Sequence, residues 1–225
     1  MEFGKESWRS YEAGIAKEWL LTNGIGGFAA STITGINTRR YHGLLVAALN
    51  PPAERHLILS KLDEAVKIGD REYELYSHEA GGCIKNNFLH QQRFEFNPLP
   101  VFTYNIGDVF IEKTICMVFG KNTTAIRYRL RTGSSDIRLR LTPLVNFRDY
   151  HHTSSRWNMQ FARSVSGNMV EIRPYGLDLN ISLLCSDGAF HAADDCWFEN
   201  MNYAMERERG LDSTEDHYIP GSRSE

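Results

Sequence analysis

Six consecutive side chains with polar function, Asn37, Thr38, Arg39, Arg40, Tyr41 and His42, stand between Gly35-Ile36 and Gly43. They combine hydrogen-bond donors and acceptors, planar guanidinium groups and an aromatic face, a set that suits sugar hydroxyls and ring stacking. The competing reading pairs the two arginines with local carboxylates and packs Tyr41 and His42 under the loop. A second constellation, Asn146-Phe147-Arg148-Asp149-Tyr150-His151-His152, follows an apolar run that ends near Leu144. Acid, base and aromatic side chains gathered at a strand end are a form that ligand sites take. Asp149 with His151 and His152 lacks the helical i,i+4 spacing of a common zinc pair, so surface histidines are expected and no metal.

Other chemistries find less support. Gly24, Gly26 and Gly27 suggest a phosphate-cradling loop, but such a loop needs a helix after it to aim amides at the phosphate. Here Phe28-Ala29-Ala30-Ser31-Thr32-Ile33-Thr34 follows, which reads as a β-segment. The glycines are therefore assigned to a tight turn with positive φ. Glycosidic hydrolysis requires two carboxylates held ~5–9.5 Å apart, one with a raised pKa. Asp63, Glu64, Asp149, Glu215 and Asp216 are available, yet their spacing pairs none of them. No Ser/His/Asp or Cys/His arrangement stands out either. No catalytic residue and no cofactor are expected in these residues.

The elements that would position the two polar blocks are strands. Ile126, Tyr128 and Leu130 alternate with Arg127, Arg129 and Arg131, and Ile137, Leu139 and Leu141 alternate with Asp136, Arg138 and Arg140. Each run reads as a strand with one face in the core. Thr132-Gly133-Ser134-Ser135 between them predicts a hairpin, with Leu130 opposite Ile137 and Arg131 opposite Asp136. That register sets Arg129 against Arg138, so the arginine face must meet water or acidic partners. Val109 to Phe119 is read as apolar on both faces and so placed between packed layers. Leu177, Leu179, Ile181, Leu183 and Cys185 form another inward row. Many strands, short turns and no long helical period before Asp194 predict an all-β fold, a large antiparallel β-sandwich. The sandwich is assigned to residues 1–205, and the charged run from Glu206 is read as a truncated connector over 206–225.

Lys plus Arg (25) nearly balances Asp plus Glu (28), leaving a formal net charge of -3 in 225 residues. That balance gives no electrostatic reason to expect nucleic acid or an anionic membrane surface. No apolar run approaches the ~20 residues of a membrane span. The start has no cationic segment followed by an apolar one, and the four cysteines are dispersed without a CxxC. A cytoplasmic protein with reduced thiols is expected.

Three separated blocks carry a resemblance. The string EWLLTNGIGGFAASTITGINTRRYHGLLVAAL, followed by Lys61-Leu62-Asp63-Glu64, closely resembles the start of bacterial and archaeal glycogen-debranching enzymes of the amylo-α-1,6-glucosidase type. Pro143 to His151 is similar to that family's second signature. The tail, with Glu215-Asp216 and Ile219-Pro220-Gly221, is similar to the stretch before its final N-domain strands. The resemblance implies a β supersandwich without hydrolytic carboxylates. It also implies a partner in the same polypeptide, a C-terminal helical (α/α)6 barrel that cuts α-1,6 branch linkages of glycogen. It suggests that Asn37 to His42 and Arg148 to His151 wall the pocket of that barrel, touching either the barrel or the α-glucan. Two other readings stay open: an independent α-glucan-binding module, and a mutarotase-like enzyme, which would need a His and an acid facing each other in a cleft.

Overall fold

A computed structural model describes residues 1–133 and 137–224. Eighteen strands and two short helices lie among the described residues. The first five strands are β1 (Glu2–Gly4), β2 (Glu18–Thr22), β3 (Phe28–Thr32), β4 (Gly43–Asn50) and β5 (Ala53–Ile68), with helix α1 (Tyr11–Ile15) before β2. Next come β6 (Arg71–Glu74), β7 (His78–Ala80), β8 (Cys83–Lys85), β9 (Gln91–Phe96) and β10 (Pro100–Ile106). Then follow β11 (Val109–Met117), β12 (Thr124–Arg131), β13 (Ile137–Asp149), β14 (Phe161–Ser166) and β15 (Met169–Pro174). The last are β16 (Ile181–Leu184), β17 (Ala189–Asn202), helix α2 (Ala204–Glu208) and β18 (Thr214–Ser224).

These strands build an all-β sandwich from antiparallel sheets. The larger sheet has ten strands in the order β2-β3-β4-β5-β13-β18-β17-β7-β8, with β6 beside β5. A five-stranded sheet, β1-β9-β10-β11-β12, supplies the second layer, and β14-β15-β16 form a small third sheet. Alternation along each strand sends one set of side chains between the layers. Ile111, Ile115, Phe94 and Phe102 of the smaller sheet meet Trp19, Val66 and Leu139 of the larger one in a single apolar core.

The core is not wholly apolar. On β5, Glu64 shares the inward face with Val66, and it meets two side chains from the opposite sheet. Lys113 of β11 forms a short ion pair with it, and the Tyr128 hydroxyl of β12 donates to Glu64 Oε1 at 2.6 Å. Glu64 and Lys113 are both buried. Burial and the Glu64 carboxylate push the Tyr128 hydroxyl well above its ordinary pKa, so it stays a donor.

Three expectations are corrected. The 126–141 hairpin does not exist: β12 pairs with β11, setting Leu130 against Ile111, whereas β13 pairs with β5, setting Leu139 against Val66. The two strands belong to different sheets, and the proposed contact of Arg131 with Asp136 lies outside the described residues. Period-two alternation identifies a buried face; it does not identify the neighbour that covers it. The arginine face of β12 is exposed, with Arg129 near Glu112 at 4.0 Å. Second, β11 is buried on one face only, Phe110 is about half exposed, and Phe119 lies beyond the strand, 85% exposed.

The third correction concerns the tail. Residues 206–224 are no connector. Glu206 belongs to α2, and β18 is inserted between β13 and β17 in the body of the large sheet. Glu215, His217 and Ile219 alternate there and face other strands, so the charged run around Glu206 masked a buried strand that follows it. The inward row around Leu183 is shorter than expected as well: β16 spans Ile181–Leu184, and Leu177 is about half exposed.

Candidate functional site

The glycine turn comes first because it sets the start of the large sheet. Gly24 and Gly26 take φ values of +80° and +101°, as a tight turn requires. A Cβ at Gly26 would stand 2.5 Å from the Pro52 carbonyl oxygen, so no other residue fits that approach.

The next segment, Gly35 to His42, joins β3 to β4. Three of its six polar residues are buried framework. Asn37 donates through Nδ2 to the Ser60 carbonyl at 3.1 Å and accepts from Ser31 Oγ at 2.8 Å. The Thr38 carbonyl accepts the Met205 amide at 3.0 Å, which ties the loop to α2. The Thr38 amide donates to His42 Nδ1 at 3.1 Å, which turns Nε2 toward Glu18 Oε1 at 3.6 Å. Arg39 Nε donates to the same Glu18 oxygen at 2.7 Å. Burial alone would raise the Glu18 carboxyl, but His42 and Arg39 outweigh it and hold the pKa at about 2.

As outward-facing candidates this leaves Arg39, Arg40 and Tyr41, each partly exposed. The Arg40 guanidinium lies 5.4 Å from the Tyr41 ring, and its Nε is 4.0 Å from buried Glu206. Tyr41 crosses to the second block: its hydroxyl is 3.2 Å from His151 Nδ1, and its ring meets Tyr150 edge-on at 5.5 Å. Two blocks more than 100 residues apart therefore form one surface cluster.

Arg148 locks that arrangement from below. Its Nε and Nη2 grip Glu215 at 2.5 and 2.8 Å, while Nη2 also donates to the Arg40 carbonyl at 2.7 Å. Glu215 further accepts the Ser154 amide and hydroxyl, both at 3.0 Å, and a short bond from the Tyr203 hydroxyl. Burial opposes ionisation of Glu215, but Arg148 outweighs it and keeps the carboxyl below its usual range. Asp149 caps the turn by accepting the His151 amide at 2.8 Å. Asn146 Nδ2 donates to the Asp216 carbonyl at 3.1 Å and approaches His217 Nδ1 at 3.2 Å. The sequence reading singled out Arg148 as a contact residue; its buried position makes it the loop's anchor. Tyr203, Ser154, His217 and Glu206 were not anticipated, although the alternation of Glu215, His217 and Ile219 was a signal for a strand with polar groups inside.

Elsewhere Asp63 and His78 face each other, with His78 Nε2 2.6 Å from Asp63 Oδ2. Both imidazole nitrogens are engaged, since Nδ1 lies 3.4 Å from Lys61 Nζ. Burial would raise the Asp63 carboxyl, but Lys61 and His78 hold it below the usual range. Asp63 and Glu215 are thus ion-pair partners, not the elevated acid that protonates a leaving group. No group of three or more His, Cys, Asp or Glu positioned for a metal is present among the described residues. No helix among them is long and apolar enough to cross a membrane.

His217 gives the network a measurable signature. Burial pushes its pKa down to about 4, against the pull of Glu215. The unfolded chain binds that proton near pH ~6.5, so the stability held by the neutral ring is complete above this pH. It is lost as pH falls toward about 4, by roughly 3 kcal/mol. Urea unfolding across this window should show the loss, and His217→Gln should flatten it; an unchanged slope in the variant would contradict the assignment.

Fold and site together define a β-sandwich domain that carries a polar and aromatic platform on a buried ionic base. Residues 17–224 match the family model described as glycogen debranching enzyme N terminal, and the chain belongs to that family. No curated protein matches the chain.

Proposed function

We propose that this chain is the non-catalytic N-terminal domain of a glycogen debranching enzyme, and that it packs on the catalytic part and walls its substrate pocket. The parent enzyme would hydrolyse α-1,6 branch points on a C-terminal helical barrel. In this reading Arg39, Arg40, Tyr41, Tyr150 and His151 supply the wall, and Arg148 with Asp149 sets its shape. The observation that carries the reading is the meeting of two distant loops, fixed through Arg148 to the Arg40 carbonyl, with Tyr41 and His151 left at the surface. A surface fixed in this way is pre-organised for contact, which lowers the ordering cost of binding.

In the full-length enzyme, Tyr41→Ala and His151→Ala should each raise KM or lower kcat by about fivefold, equivalent to ~1 kcal/mol. Both side chains are partly exposed or exposed, so folding should survive the change. Unchanged kcat and KM in both variants would remove the loops from the substrate pocket.

A further inference from the structure

The large sheet curls far enough to bring β5 and β7, four places apart in strand order, into side-chain contact through Asp63 and His78. On the face turned away from the core this curl borders an open cavity of about 480 Å³. Small-molecule sites commonly span about 300–1,000 Å³. The platform described above contributes none of its residues to the lining. Its lining mixes apolar side chains, among them Leu144, Phe198 and Ile219, with polar ones, Tyr76, Lys85, Arg140 and Thr142, and it includes Asp63 and His78.

The charges around this cavity are matched within the protein. Lys61 stands 3.5 Å from Asp63, Lys85 pairs with Glu74 at 2.6 Å, and Arg140 pairs with Glu72 at 2.6 Å. A charged ligand would find no unmatched opposite charge to repay its desolvation. A neutral molecule rich in hydroxyls meets the Lys85 ammonium, the Arg140 guanidinium and the Thr142 hydroxyl, with apolar side chains for its C–H face. Phe198 is held in place against His78, with ring centroids 4.6 Å apart.

We propose that this cavity is a carbohydrate subsite separate from the paired loops, and that it takes a short neutral α-glucan segment. The choice of glucan among neutral polyols rests on the family reading; the size, neutrality and lining do not. The role proposed is binding; His78 lies at the site with its nitrogens against Asp63 and Lys61.

Calorimetric titration of the 225-residue chain with maltotriose should give saturable binding. Phe198→Ala and Arg140→Ala, both at partly exposed positions, should each weaken it about tenfold. Cys83 is exposed and lines the cavity, so maltotriose should slow its alkylation by iodoacetamide, read by mass spectrometry of its peptide. No saturable binding would overturn the proposal. So would binding that neither variant weakens while Cys83 stays unprotected, and so would tighter binding of inorganic phosphate than of maltotriose. A failed titration beside a KM effect of Tyr41→Ala in the full-length enzyme would reject the cavity and keep the loop reading.

Discussion

Glu215→Ala should destabilise the protein by about 3–5 kcal/mol, because it strands the Arg148 guanidinium in the interior. Arg148 and Glu215 are both buried, and two of the Arg148 nitrogens contact the carboxylate. The change also leaves the Tyr203 hydroxyl and the Ser154 amide and hydroxyl without their acceptor. For a chain of this size, such a loss lowers Tm by about 10 °C. Glu215→Gln keeps an acceptor but removes the charge and should fall between wild type and Glu215→Ala. Replacing both partners, Arg148→Met with Glu215→Leu, should cost less than Glu215→Ala, since no buried charge is left alone. Urea denaturation of the three variants decides the matter. A loss below about 1 kcal/mol for Glu215→Ala would show the pair to be solvated.

Lys113→Met should cost a comparable ~3–5 kcal/mol by a different route, acting between the sheets. It removes the cation that compensates Glu64 and leaves a carboxylate deep in the sandwich with the Tyr128 hydroxyl as its remaining donor across the sheet gap. Adding Glu64→Leu should recover most of the loss. What stays unrecovered is the Tyr128 hydroxyl, now without its acceptor, at roughly 1–3 kcal/mol. Denaturant midpoints of the single and double variants give the coupling directly. If the double variant were no better than Lys113→Met, the charge pair would not be the source of the effect.

These two ion pairs also mark where sequence reading ended. The strand nature of 109–119, 126–131 and 137–142 was legible, because alternation records which side chains are buried. The neighbours were not, since alternation is the same whichever strand lies alongside, and so a hairpin was assigned where β12 pairs with β11 and β13 with β5. Lys113 went unmentioned in the reading of that apolar row, yet its position in the row is what aims it at Glu64. The polar blocks at 37–42 and 146–152 were legible as unusual composition. Their meeting was not, because nothing in their spacing records a contact between Tyr41 and His151. Asn37, Thr38 and His42 look like ligand-facing residues by type. They are buried instead, Asn37 bonding the Ser60 carbonyl of β5 and His42 accepting the Thr38 amide of the turn between β3 and β4. The tail was misread for a related reason: charge suggested solvent, while in β18 each buried polar group has a partner.

The position of β18 carries a consequence for biosynthesis. Residues 214–224 leave the ribosome after the other described strands of the sheet, yet their place is between β13 and β17. Until then the nascent polypeptide holds two half-sheets with open hydrogen-bonding edges, the state most exposed to mispairing with other chains. Closure of the large sheet is thus a long-range event that waits for residues 214–224, and chaperone demand should peak shortly before their emergence.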